Sequence, residues 1–261
     1  MRVVTIVVLA AAFAAARLDA QGPPGGRGAQ PTRTARAAAP VDLVGQWVSV
    51  ISEDWRWRMV TPLKGDFANI PVNEQARTVG RAWDPEKDEA AGEACRAYGA
   101  PAIMRVPGRV RISWQDDETL KIETDAGQQT RLLRFRPGAP PTTREWQGYS
   151  TARWEPPTSG VIPAPAFALG LSPRAGAQGR SLEVQTTQLR HGYLRKNGIP
   201  YSADATMTEY FDLFKESSAE WFVVTTIVRD PIYLTGPWVT SSNFKRETDT
   251  SKWSPSPCSA K

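Results

Sequence analysis

Between Arg109 and Asp125 apolar and polar residues alternate with a period of two. Val110, Ile112 and Trp114 fall in phase against Arg109, Arg111, Ser113 and Gln115, and after Asp116-Asp117-Glu118 the residues Leu120, Ile122 and Thr124 alternate with Lys121, Glu123 and Asp125. An extended chain places every second side chain on one face, so this segment reads as a hairpin with one buried face. Asp125-Ala126-Gly127 supplies a second turn and residues 130–135 a third strand, extending the hairpin into an antiparallel meander. The alternation returns at 147–155, 181–189, 205–214, 220–229 and 238–245, and an opening strand over 45–59 brings the expected total to about eight or nine. Helical signals are few. Asp84-Pro85 reads as an N-cap with proline at the first position, acids follow at Glu86, Asp88 and Glu89, and Gly99 lies past the end; a shorter helix is expected over 73–81. The Pro-, Gly- and Ala-rich stretch 156–179 has no strand pattern and reads as a lid or a disordered loop. With neither βαβ alternation nor a fixed-period repeat, the fold class is all-β. A single antiparallel β-barrel with one or two short helices fits better than an immunoglobulin-type sandwich, whose Cys…Trp…Cys spacing is lacking.

The residues ahead of this pattern point to export. Arg2 precedes an uncharged apolar run over 3–16, and small Ala20 offers a cleavage point, so residues 1–20 read as a signal peptide. The run is shorter than the ~20 residues that span a bilayer, so no stable membrane insertion is expected after cleavage. Residues 21–40 hold Gly, Pro, Ala and Arg without aromatic or branched aliphatic residues and read as a flexible spacer, leaving 41–261 as one barrel domain. The compartment is then secreted or periplasmic. Disulfides persist there, and the two cysteines are expected to pair as Cys95–Cys258, the alternative being two free thiols.

The formal net charge is +5, but Arg2, Arg17, Arg27, Arg33 and Arg36 against Asp19 place +4 of it in residues 1–40. The folded part therefore carries no general basic footprint, and no nucleic-acid partner is expected. A single His and two Cys exclude metal sites built from several imidazoles or thiolates, and no metal or cofactor is expected. Asp116-Asp117-Glu118 lacks the ligand spacing of a calcium loop. There is no Walker loop, no dinucleotide-binding glycine motif and no Gly-x-Ser-x-Gly elbow.

Leu43-Val44-Gly45-Gln46-Trp47, at the start of the first strand, resembles the Gly-x-Trp signature of lipocalin-like (calycin-like) barrels. Met207-Thr208-Glu209-Tyr210-Phe211, with Val228-Arg229-Asp230-Pro231 and Leu234-Thr235-Gly236-Pro237-Trp238, looks like a pattern of secreted bacterial β-barrel proteins of unknown function. The resemblance covers the first strand and the last third of the chain. It implies an exported barrel that binds small hydrophobic molecules and, in some relatives, converts them; it carries no catalytic residue across.

The most unusual segment is Asp54-Trp55-Arg56-Trp57-Arg58-Met59. On a strand, Trp55, Trp57 and Met59 share one face and Arg56 and Arg58 the other. Either the tryptophans wall a cavity, or the arginines present bidentate forks to a carboxylate or phosphate. Glu209, in phase with Met207, Phe211 and Leu213, is expected on a buried face. It reads as a ligand anchor or general acid/base, or as half of a buried ion pair with an arginine such as Arg56 or Arg131. His191, the only imidazole, stands in a basic turn with Arg190, Arg195 and Lys196, where Tyr193 and Tyr201 complete a possible mouth for an acidic headgroup.

The first functional expectation is a protein that binds a small, largely hydrophobic ligand, acidic in one version. Trp55, Trp57 and Trp114 form the wall, Glu209 the anchor, and Arg56, Arg58, Arg195 and Tyr201 further contacts. The second is a cofactor-free hydratase, isomerase or hydrolase with Glu209 and His191 as catalytic residues. The third is a structural or interaction module of the envelope. The sequence carries no signal for oligomeric state.

Overall fold

The computed structural model describes residues 33–155 and 181–261. The expected signal peptide, the first part of the spacer and the stretch 156–179 lie outside the described residues. In chain order the strands are β1 (Gly45–Val50), β2 (Arg109–Asp116), β3 (Thr119–Thr124), β4 (Thr130–Arg134), β5 (Tyr149–Trp154), β6 (Ser181–Thr187), β7 (Gly192–Arg195), β8 (Ile199–Tyr201), β9 (Thr206–Glu216), β10 (Ala219–Arg229) and β11 (Trp238–Arg246). Nine of them close into a barrel in the order β1-β11-β10-β9-β6-β5-β4-β3-β2, and β7 and β8 form a separate hairpin.

The meander follows the alternation. Ile112 lies opposite Ile122 and Trp114 opposite Leu120, while Leu120 also faces Leu133. β1 closes the ring, pairing Gln46 with Arg111 of β2 and Trp47 with Arg246 of β11. One seam departs from the antiparallel expectation: β4 and β5 run parallel through Leu133–Ser150 and Arg134–Thr151. A parallel neighbour requires the chain to return to the same end first. The connection 135–148 does so, with the Trp146 carbonyl accepting from Ala100 N and the Glu145 carbonyl from Arg190 N.

Four short helices are present rather than one or two: α1 (Trp55–Arg58), α2 (Glu74–Ala82), α3 (Pro85–Ala90) and α4 (Ala100–Ile103). Asn73 caps α2 by accepting from Ala76 N at 2.9 Å, and Asp84 caps α3. The helix expected to reach Gly99 ends at Ala90, because the chain turns at Gly92 (φ 71°) before a 3₁₀ turn over Ala94–Tyr98.

The opening strand is also shorter than expected, and this changes the reading of residues 55–59. β1 runs out of partners at Val50, opposite Asn243. Asp54 then adopts a left-handed conformation (φ 53°) and Trp55–Arg58 wind into α1. The alternation of Trp and Arg there is not a strand alternation, and no sheet separates the two residue types onto opposite faces.

Two apolar cores are separated by a polar layer inside the barrel. In the first, Trp47 meets Phe222 edge-on at 4.8 Å between centroids and Phe222 stacks on Phe244 at 4.6 Å, with Ile112, Leu133, Leu182 and Phe211 around them. In the second, Met207, Val228 and Trp238 from the barrel join Phe67, Ile199 and Tyr201 from the covering segments. Between the two, the inward faces turn polar: Glu209 lies between Phe211 and Met207, and Thr226 between Val224 and Val228, all buried. Arg131 reaches from β4 to Glu209 with Nη1 donating to Oε1 at 3.1 Å and Nη2 to Oε2 at 2.6 Å. Ser150 and Thr186 share a hydrogen bond of 2.8 Å beside it. At the end of the first core, Trp154 Nε1 donates to the Ala35 carbonyl and Arg36 N to that of Asp117, so the last residues of the segment read as a spacer lie against the barrel rim.

Cys95 and Cys258 form a disulfide. It ties the segment after β11 to the 3₁₀ turn, where Ser256 N donates to the Asp125 carbonyl and Gly127 N to that of Ser256. By the chain-entropy model a loop of 163 residues stabilises the fold by on the order of 5 kcal/mol.

The polar layer generates a stability prediction. Glu209→Leu strands Arg131, which is 1% exposed, without its counter-charge, and is expected to cost about 3–5 kcal/mol in urea unfolding. The double substitution Arg131→Met/Glu209→Leu is expected to recover most of the loss. Equal stability of Glu209→Leu and wild type would show that the pair does not hold the layer together.

Candidate functional site

Because β1 ends early, residues 51–72 leave the sheet and cover the barrel end beside α4 and the β7–β8 hairpin. A cleft of about 310 Å³ opens there, outside the barrel, with Trp57, Arg58, Arg105, Arg195 and Lys196 among its walls. Met59, Val60 and Pro62 form its apolar side, and Tyr98 and Ser256 its floor towards the disulfide.

Each guanidinium is held by few partners. Arg58 donates from Nε to the Arg105 carbonyl at 2.9 Å and pairs with Glu53. Arg105 Nη2 donates to Asp54 Oδ2 at 2.7 Å while its guanidinium lies 5.4 Å from the Trp238 ring. Arg195 Nη2 donates to the Ala68 carbonyl at 3.0 Å, and its guanidinium sits over Trp57 at 5.2 Å. All three are buried, and Arg58 Nη2, Arg105 Nη1 and Arg195 Nη1 have no hydrogen-bond partner. Buried donors are nearly always satisfied, so three unpaired guanidinium nitrogens around one cleft define a place short of acceptors.

The electrostatics agree. Burial pushes the Arg58 guanidinium down to about 10; Glu53 works against the shift and Arg105 adds to it. Arg195 is likewise pushed down to about 10, by burial first and by Arg105 next, with Asp66 and Asp54 opposing. Both remain charged at neutral pH. Lys196 lies 5.5 Å from the Tyr98 ring and donates to the Lys261 carbonyl at 2.6 Å. Asp66 offsets part of this charge: it accepts from Trp57 Nε1 at 2.9 Å, and that bond leads the causes holding its carboxyl below the usual range. Such a site favours an anion that can offer several oxygens to fixed forks.

Of the residues singled out from sequence, Trp57, Arg58 and Arg195 converge on this cleft, with Lys196 beside them. Trp55 and Arg56 are exposed next to it. Trp114 lies at the other end of β2, in a run of tilted rings with Phe135 (5.6 Å) and then Trp154 (5.2 Å). Tyr201 is fully buried in the second core against Gly99 and Gly192, with its hydroxyl unpartnered and its pKa raised by burial. Glu209 sits within the barrel, both oxygens engaged by Arg131. His191 is exposed at 3.4 Å from Arg96 Nη2, and partial desolvation of the ring, with the Arg96 charge next, lowers its pKa. Glu209 and His191 are thus not brought together.

Sequence reasoning missed Arg105 and Asn197. Arg105 stands alone between α4 and β2, and nothing local distinguishes it. Asn197 is fully buried in the β7–β8 turn and donates from Nδ2 to the carbonyls of Leu63 (3.0 Å) and Asp66 (2.9 Å), clamping the cleft's outer loop. Its position in Lys196-Asn197-Gly198 reads only as a turn.

The clamp predicts that Asn197→Ala loosens residues 63–66, seen as faster amide exchange there, with a stability loss of about 1–3 kcal/mol, chiefly from the Asp66 carbonyl, since that of Leu63 keeps its bond from Asp66 N. Unchanged exchange would show that the loop is held by its other contacts. No helix among the described residues is long and apolar enough to cross a membrane, and no cluster of three or more His, Cys, Asp or Glu residues there could hold a metal ion. Searches with the chain found no matching family model, curated protein or solved structure.

Proposed function

We propose that this chain is an exported, lipocalin-like barrel protein that binds a small organic acid, with the acid group in the cationic cleft and the apolar body along Met59, Val60 and Pro62. The observation that carries this reading is the set of three buried guanidinium groups, each with an unpartnered nitrogen, around a single cavity. Among the described residues, this cleft lies outside the barrel interior. The barrel's two apolar cores are filled by side chains, and in its polar layer Arg131 and Glu209 pair through both Nη atoms and both carboxylate oxygens, with Arg131 Nε unpartnered. The ligand therefore sits beside the barrel, and Glu209 is a structural partner of Arg131 rather than an anchor. The disulfide and the signal-like first twenty residues support export.

Calorimetric titration of the disulfide-intact protein against aliphatic and aromatic carboxylates, phosphate monoesters and their neutral alcohol or amide counterparts tests this. Acids are expected to bind and neutral counterparts not. Arg195→Gln or Arg58→Gln, removing a charge-assisted bond of about 1.5–3 kcal/mol, is expected to weaken binding roughly tenfold or more. Because Arg58 and Arg195 lose their protons near pH 10 in the free protein, affinity should hold across neutral pH and fall as pH rises through that region. Equal binding of neutral counterparts, or no acid bound at all, would overturn the reading.

A further inference from the structure

The loop that walls the cleft also carries most of the exposed large apolar side chains among the described residues. Trp55 (63% exposed), Met59 (59%), Val60 (69%) and Leu63 (83%) fall within nine residues, whereas Phe214, Ile232 and Val239 stand apart from them in the sequence. Arg56 and Lys64 are exposed in the same segment, and no residue from 55 to 65 is acidic. The flanking acids are already engaged: Glu53 by Arg58, Asp54 by Arg105, and Asp66 by Trp57.

This display is built rather than a fold defect. The loop backbone is fastened by Asn197 at Leu63 and Asp66, by Arg58 on the Arg105 carbonyl, and by Trp57 on Asp66. A fixed backbone that turns Trp, Met, Val and Leu to water, interleaved with cations and backed by Arg105, Arg195 and Lys196, has the composition of an interfacial anchor. We propose that residues 55–64 dock this protein peripherally on an anionic lipid surface. Trp55, Met59, Val60 and Leu63 enter the headgroup and upper acyl region, while the exposed Arg56 and Lys64 meet lipid phosphates. Charge selects this occupant over a second copy of the chain, since a face-to-face dimer through the loop would oppose cations to cations. Docking does not require that the cleft take a soluble acid, and the two readings can fail separately.

The test is flotation of the disulfide-intact protein with phosphatidylcholine vesicles, with and without phosphatidylglycerol, at low and high salt. Binding is expected only with the anionic lipid and is expected to weaken as salt screens the surface potential. Trp55→Ser/Leu63→Ser is expected to lower vesicle partitioning by about tenfold or more, with an unchanged melting temperature and unchanged calorimetric binding of soluble acids. Val239→Ser, which removes an exposed apolar residue of β11, should leave flotation intact. The proposal is overturned by equal flotation on neutral vesicles, by full binding of Trp55→Ser/Leu63→Ser, or by lipid-free dimerisation that the double substitution abolishes in sedimentation.

Discussion

Arg131 and Glu209 meet in the middle of a closed barrel, at 1% and 0% exposure. Removing two charges from water costs several kcal/mol per ion, so the pair persists only because both carboxylate oxygens and both terminal guanidinium nitrogens are engaged, with Thr186 and Ser150 at the margin. Its consequence is architectural. A polar layer across the lumen makes the barrel two short cores, one sealed by Trp47, Phe222 and Phe244, the other continuous with the covering segments. A barrel with a long ligand cavity needs its inward faces free of such a cross-brace. Here the brace occupies the place a ligand would take, and concave surface remains where loops and helices cover the barrel end.

That covering carries an imbalance of charge. Glu53, Asp54 and Asp66 stand against Arg58, Arg105, Arg195 and Lys196; Glu53 pairs with Arg58 and accepts from Ser52 and Asn243, Asp54 pairs with Arg105, and Asp66 accepts from Trp57 and Ala68 N. Two guanidinium groups are held down to about 10 chiefly by burial, with Arg105 pushing on both. Keeping like charges close and half-satisfied costs stability.

The strands were legible because burial on one face writes itself into every second residue. Val110 to Trp114, Leu120 to Thr124 and Met207 to Phe211 all point their apolar phase inward. The same logic placed Glu209 in the core with Arg131 as a possible partner. It failed at Trp55 to Met59, where a period-two pattern sits on a short helix, because alternation records burial only if a sheet exists to bury against. β1 has no partner past Val50. The parallel β4–β5 pair was hidden for another reason: strand direction depends on where the connection 135–148 travels, which composition does not encode. Arg58 and Arg195 were identifiable as cations, but their convergence with Arg105 is a property of three separate chain segments.

One hairpin turn joins the two halves of the candidate site. Arg195 lines the cleft, and Asn197, two residues on, holds the loop that carries the exposed apolar side chains. The turn that carries Asn197 needs Gly198 at φ 80°, with Trp83 close enough that any Cβ there would collide. Trp57 completes the linkage, since its ring lies under the Arg195 guanidinium while its Nε1 donates to Asp66 in the clamped loop. The cleft wall and the loop that carries Trp55 and Leu63 are therefore braced by one set of contacts.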